Sequence, residues 1–423
     1  MKRSLLMIVA VPLLAQDGIV HITLQQAIGT ALKQNPAIAA TRAALDEADA
    51  RIKEAKADYY PQVGFAGIAK VGLAGATNGL GLIGLPNSPL YRNLADSLNI
   101  NQSIYDFGRG SHRVAMERKH RAALEADLQV IEASVRLSTS KAYYALLRSR
   151  QIAASAREIV KAQEVTVRQA QAFYEGQLRS RVDLDLSRAA LARTQLRQVE
   201  AESLIRSVSA ELNRIMAVDQ GVTYDPELPD LNIGVVEPLP ELLVAAFRLR
   251  PELQALGAER AAAEENVQLA RSQRKPLLGF SFSGGYARFS NILARELTAA
   301  GAGLIVPLFT GGRLEGAIEE AEAQLAIVDA RSQSLRQQIE YEVQIASIHL
   351  QDALQVIPVA KLQEESARSA QRLAAERYKE RLGSIVELTA SQAASAEALA
   401  NEATALLNAK TAEADLRFAL GRK

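Results

Sequence analysis

The sequence predicts a mainly α-helical chain with a small β part, in which a β-hairpin followed by a very long helical hairpin occurs twice. Three observations lead there. The chain repeats itself at fixed offsets, short segments alternate apolar and small polar residues, and long proline-free stretches carry apolar residues every three or four positions.

The repeat is read from prolines first. Asn35-Pro36 and Tyr60-Pro61 recur as Arg250-Pro251 and Lys275-Pro276, both displaced by 215 positions. Further on the offset becomes 204. Ile104-Tyr105-Asp106-Phe107-Gly108-Arg109 faces Leu308-Phe309-Thr310-Gly311-Gly312-Arg313, Tyr174 faces Tyr378, and Ala210-Glu211-Leu212 faces Ala414-Asp415-Leu416. That register runs without a gap from 103–219 onto 307–423. The first copy therefore holds 11 extra residues between Pro61 and Ser103, where Gly and Asn cluster, and an elongated loop is expected there. The expected organisation is a signal peptide at 1–16, a first repeat at 17–219, a linker at 220–238 and a second repeat at 239–423. The β-hairpins fall at 62–105 and 277–309, the long helical hairpins at 107–219 and 311–423.

Each copy opens with a short helix and then a medium one, from Pro36 to Tyr59 and from Pro251 to Arg274. Proline suits the first helical turn, where its missing N–H has no intrahelical partner to lose. Pro61 and Pro276 close these helices. The pattern then switches to period two: Val63 and Phe65, then Leu98, Ile100 and Ile104 between Asn99, Asn101 and Ser103; in the second copy Leu278, Phe280, Phe282 and Tyr286 against Ser281, Ser283 and Gly285. Such strands have one greasy and one wet face. From Gly108 to Ala172 and from Val182 to Ala217 there is no proline, and apolar residues recur at helical spacing, as in Leu204, Val208, Leu212 and Ile215, matched by Leu335, Ile339, Val343, Ala346 and Leu350. A helix of about 65 residues at 1.5 Å each reaches roughly 100 Å. Pro358 lies inside the second copy opposite Ala154 in the first, so a kink is expected in one copy and not the other.

Composition narrows the function. Lys plus Arg total 49 against 48 for Asp plus Glu, so no net field gathers nucleic acid. The chain has no cysteine, which removes thiolate metal sites, disulfides, thiol nucleophiles and an acylated lipoprotein anchor. Lys2-Arg3, the apolar run Leu5 to Leu14 and Ala15-Gln16-Asp17 have the layout of a secretory signal. No later run of 18 apolar residues exists, so any membrane crossing falls to a barrel. Gly79-Leu80-Gly81-Leu82-Ile83-Gly84 spells a dinucleotide fingerprint, but Leu85-Pro86-Asn87-Ser88-Pro89 follows it instead of a helix, so a loop is the better reading. His21, His112, His120 and His349 form no ligand spacing, and Asp183 and Asp185 read as ordinary carboxylates at a helix start. No catalytic constellation, cofactor site or metal site is expected.

The Asn-Pro and Arg-Pro helix starts, the Tyr-Pro before a strand, and the Tyr-Asp-Phe-Gly-Arg and Phe-Thr-Gly-Gly-Arg entries to the long helices resemble the TolC family of outer-membrane efflux proteins, over about residue 22 to the end. The resemblance implies a homotrimer whose protomers each give four strands to one twelve-stranded transmembrane β-barrel and four long helical strands to a periplasmic α-barrel. Strand arithmetic agrees. Four strands close nothing, eight give a barrel filled by its own side chains, and three copies supply twelve around an aqueous lumen. Implied partners are outer-membrane lipid, a periplasmic adaptor and an inner-membrane pump, with passive export as the function and no enzyme activity. A soluble periplasmic adaptor or other coiled-coil interaction protein is the alternative, although adaptors carry one helical hairpin and this chain has two.

The resemblance also places the functional residues at the ends of the helical hairpins. Glu387 matches one of two gate carboxylates, while the second falls on Ala390. Tyr174, Glu175, Tyr378 and Arg381 are candidates for ties that hold the entrance shut. Gly176, Gln177, Leu178, Arg179 and Ser180, with Leu382, Gly383 and Ser384, are the expected adaptor-docking tips.

Overall fold

The computed structural model describes residues 20–72, 91–228, 230, 232–234, 237–289 and 292–422. The expected signal peptide at 1–16 and the glycine-rich stretch from Gly79 to Pro89 lie outside them. In chain order the elements are β1 (Val20–Ile22), α1 (Leu24–Gln34), α2 (Pro36–Ala57), β2 (Gln62–Gly72), β3 (Tyr91–Tyr105), α3 (Arg109–Glu175), α4 (Arg181–Met216), β4 (Tyr224–Pro226), α5 (Leu239–Leu249), α6 (Pro251–Ser272), β5 (Leu277–Phe289), β6 (Ile292–Ile305), α7 (Arg313–Lys379) and α8 (Ile385–Ala419). Helices α3 and α7 are both 67 residues long. Helix α7 continues through Pro358. No helix among the described residues is long and apolar enough to cross a membrane.

The chain forms two compact units. One comprises Thr41–Leu128 and Pro251–Arg336, the other Met1–Ala40, Gln129–Arg250 and Gln337–Lys423. The first unit contains a four-stranded sheet in the order β2-β3-β5-β6, every neighbouring pair antiparallel. Its pairings set the faces. Val63 opposes Ile100, Phe65 opposes Leu98 and Leu278 opposes Leu304, with Phe280 and Phe282 in the same row. On the other face Asn101 opposes Ser281 and Asn99 opposes Ser283. One face is apolar and the other wet, as the period-two pattern predicts. Gly285 sits where the neighbouring β3 leaves no room for a Cβ against the Asp96 carbonyl oxygen. Strand β6 stops at Ile305, short of the expected 309, because Pro307 has no N–H to donate to the ladder.

Parts of α2, α3, α6 and α7 belong to the same unit. Arg113 and Arg121 of α3 pair with Asp58 and Asp49 at and just past α2, while in the second copy the signs are exchanged, Arg260, Arg271 and Arg274 at and just past α6 pairing with Asp329, Glu322 and Glu315 of α7. These exposed pairs add little stability but fix how the helices align. Val267, Ala270 and Ala321 form the apolar contact beneath the second set, covered by Ile318 and Leu325.

The second unit is knitted around α3, α4, α7 and α8. Strands β1 and β4 form a short parallel ladder in which Val20 faces Tyr224. Three-residue strands carry no periodic signal, so the sequence alone does not reveal this pairing. The fully buried Tyr143 of α3 locks the ladder, its hydroxyl lying 3.0 Å from the Ile22 carbonyl and 2.6 Å from that of Glu227. Arg150 joins from the next turns, donating to Asp225 at 2.6 Å and to the Tyr224 carbonyl. Buried Arg250, just ahead of α6, donates to the Ala419 carbonyl at 2.7 Å, pairs with Glu342 and lies over the Phe418 ring. It ties the end of α8 to α7.

Candidate functional site at the helical turns

The two turns that join the long helices belong to the second unit. They are built alike. Helix α3 ends when Gln177 enters the left-handed region at φ 56°, and α7 ends when Arg381, 204 positions on, does so at φ 65°. In each turn the residue after the left-handed one donates its N–H five positions back, Leu178 to Phe173 and Leu382 to Arg377, both at 2.8 Å. The left-handed residues bond to Tyr174 and Tyr378 at 2.9 and 3.1 Å. This is a Schellman motif twice over, and it satisfies the carbonyls that the helix ends leave open. Ser180 and Ser384 start the descending helices as N-caps, and the Ser384 hydroxyl accepts from the Glu387 N–H at 3.1 Å.

The side chains differ between the turns. Tyr378 is fully buried among Ala374, Ile385 and Leu388, with the ring of Phe173 from the other hairpin 5.8 Å away. Tyr174 is 40% exposed. Burial, and secondarily the Asp183 carboxylate, push the Tyr378 hydroxyl's pKa upward against the opposing pull of Arg179, so it stays neutral. Arg179 joins the two hairpins directly: its guanidinium donates to the Gly383 carbonyl at 2.7 Å and lies 5.3 Å from the centre of the Tyr378 ring. Higher up, buried Gln392 of α8 donates to Thr166 of α3 at 2.9 Å. Neither contact is visible in sequence, because a backbone acceptor and a helix-face glutamine leave no motif.

Glu387 is half-exposed and engages Arg377 of its own hairpin at 3.2 Å. Gly383 makes room for that pair, since an added Cβ would come within 3.2 Å of Arg377 Cβ and 3.3 Å of Glu387 Oε2. Glu175 accepts from Gln171 at 2.6 Å, and Gln171 in turn accepts from Arg188 at 3.0 Å, a chain confined to the first hairpin. Arg381 extends from its turn exposed, and Ala390 lines a groove with Val386 and Ala393. Leu178, Val182 and Leu186 on one hairpin, with Leu382 and Val386 on the other, leave apolar side chains in solvent around the tips.

The family model described as "Outer membrane efflux protein" matches residues 27–218 and again 242–422. Protein CyaE of Bordetella pertussis is 27% identical over 74% of this chain, and the chain spans 66% of CyaE's length. The pyoverdine export outer membrane protein OpmQ of Pseudomonas putida is 39% identical over 18% of the chain and 16% of its own length. Among solved structures, the Campylobacter jejuni CmeC outer membrane channel superimposes with a TM-score of 0.83 at 16% identity, over 94% of this chain and 85% of CmeC. At that identity the likeness concerns the fold alone.

Proposed function

Since the chain belongs to the outer membrane efflux protein family, we propose that it works as the trimeric exit duct of a tripartite efflux or secretion assembly, passively conducting cargo delivered by an inner-membrane pump and a periplasmic adaptor. The sheet carries this reading. Four antiparallel strands with one apolar and one wet face have two unpaired edges, and open edges in lipid leave each backbone group unsatisfied at a cost of several kcal/mol. Closure with further copies removes the edges, and three copies give the smallest multiple of four strands that encloses water. The paired 67-residue helices supply the periplasmic reach, and transport along such a duct asks for no catalysis.

The helical turns are then the entrance. Arg179, Tyr378 and Phe173 hold the two hairpins of one protomer together, while Glu387, three times over at the axis, is the candidate cation-binding ring. Its pairing with Arg377 tempers that ring, as does the absence of a second carboxylate at Ala390. The exposed leucines and valines at the tips are where adaptor hairpins would intermesh.

The test is extraction from outer membranes followed by particle mass and planar-bilayer recording. A duct requires detergent, sediments as a trimer and passes ions. A chain released without detergent as a soluble particle would instead support the adaptor reading.

A further inference from the structure

We infer that the groove where α3, α4 and α8 meet, beyond the helical turns, is a binding site for a small amphipathic organic anion that carries its own hydrogen-bond donor, and that such a ligand fastens the two helical hairpins together. The site lies within one compact unit and needs no second copy.

Helical periodicity builds its walls. Leu186, Ala190, Arg193 and Arg197 recur on α4 at steps of four, three and four, and Ala393, Ala396 and Ala400 on α8 at three and four, so each helix turns one stripe to the groove. Ile159 and Gln163 stand on the α3 wall. The space enclosed is about 640 Å³, the size of sites that take drug-sized molecules. Alanine methyls are too short to fill the room between the helices, so it stays open.

Two buried amides point to what occupies it. Gln163, 3% exposed, and Gln392, 9% exposed, both line the groove, and the Oε1 atom of each is buried with no donor among the described residues. Thr166 fixes which way the Gln392 amide faces. Its hydroxyl donates to the Ala162 carbonyl at 3.2 Å, so toward Gln392 it can only accept, and it takes the Nε2–H at 2.9 Å. The Oε1 end is left over. A buried acceptor without a donor costs stability, and the packing of a helical hairpin does not demand one here, since the residue 204 positions after Gln163 is Ala367. A ligand hydroxyl or N–H supplies the missing proton.

The charges choose the sign of the ligand. Arg193 and Arg197 are exposed and have no ion pair among the described residues, whereas Arg157 and Arg188 of the same hairpin are engaged by Glu202 and Gln171. One turn apart on a single stripe, the two guanidiniums suit an oxyanion head group. Glu397 on the α8 wall opposes an anion, and two guanidiniums against one carboxylate leave the groove with a net positive charge. Between head and donor the ligand's body rests on alanine and isoleucine.

The probe is 6-hydroxy-2-naphthoate, with 2-naphthoate as the control that lacks the donor and 6-hydroxynaphthalene-2-carboxamide as the control that lacks the charge. The purified full chain, held in amphipol, is titrated with each by calorimetry. The hydroxy acid is expected to bind about tenfold more tightly than either control, the factor that one satisfied hydrogen bond or one charged contact supplies. Gln163→Leu keeps the approximate shape and removes only an unpaired amide, so the chain should lose no stability in denaturant, yet the hydroxy acid should fall to the affinity of 2-naphthoate. Arg193→Ala combined with Arg197→Ala should bring the hydroxy acid down to the carboxamide, while Glu397→Gln should tighten it. Bound probe should slow amide exchange at 386–401, because the walls come from both hairpins. Equal affinity for all three probes, binding unchanged in both the Gln163 and the double arginine variants, or no binding of the hydroxy acid at all would each overturn the site.

Discussion

Arg179 donates to the Gly383 carbonyl at 2.7 Å, although the two residues are 204 positions apart and occupy corresponding places in the two helical turns. Each turn therefore contributes a different half of one contact: a side chain from the first and a bare backbone oxygen from the second. The contact is asymmetric because Phe173 and Arg377, and likewise Arg179 and Gly383, have diverged.

Replacing Arg179 with Ala removes a charged hydrogen bond, at about 1.5–3 kcal/mol, and a cation–π contact of about 0.5–1 kcal/mol, both reduced by the partial exposure of the site. The expected result is faster amide exchange at 382–388 and longer open intervals in bilayer recordings, with global unfolding little changed. Arg179→Lys should recover part of the effect. Unaltered exchange at the second turn would remove Arg179 from the entrance.

The Arg377 and Glu387 pair gives opposite predictions for its two members. Glu387→Ala should raise single-channel conductance and abolish block by divalent cations. Arg377→Ala unmasks the carboxylate and should strengthen the block. If both changes act in the same direction, the ring is not made by Glu387.

Gly383→Ala tests how tightly the second turn is closed. The new methyl meets Arg377 Cβ at 3.2 Å and the Tyr378 nitrogen at 3.3 Å, so the turn must shift by tenths of an ångström. A loss of about 1–2 kcal/mol is expected, together with release of Glu387 from Arg377. Alanine at Gly176 of the first turn, whose Cβ would meet only the Ala172 carbonyl oxygen closely, at 3.3 Å, should cost less.

Tyr143 links the chain to alkaline pH. Burial, chiefly, lifts its pKa from 10.0 to about 12, with the Glu227 and Asp225 carboxylates adding to the shift. Its folded-state pKa lies above the unfolded one, so its stabilisation is complete below pH 10.0 and is lost as pH rises toward about 12. Tyr143→Phe should remove about 1–2 kcal/mol at neutral pH and flatten the stability profile in that alkaline window. Denaturant titrations at pH 8 and 11 read both.

Much of the architecture is legible in the residues. Prolines at 36, 61, 251 and 276 mark the medium helices because ring geometry acts locally, and alternation marks the strands because one face is apolar throughout. The helix ends are less so: α3 continues to Glu175, beyond the expected Ala172, since the last turn is held by a Schellman motif built on Gln177 instead of a glycine. What joins the hairpins is not legible at all. Arg179 reads as one more charged residue in a turn, and nothing in Gly383 announces an acceptor, because its backbone oxygen is common to every residue. Tyr174 and Tyr378 look equivalent in sequence, yet only Tyr378 is enclosed, by Phe173 and Ile385.

The parallel ladder between Val20–Ile22 and Tyr224–Pro226 has a bearing on how the molecule is made. It closes a loop of about 200 residues, an unfavourable step that grows as the logarithm of loop length and delays contacts of high sequence separation. Until residues 224–227 dock, the Tyr143 hydroxyl has neither the Glu227 carbonyl nor an ordered Ile22 carbonyl to bind. The segment after α4 is therefore the latch that holds the N-terminal strand in its place.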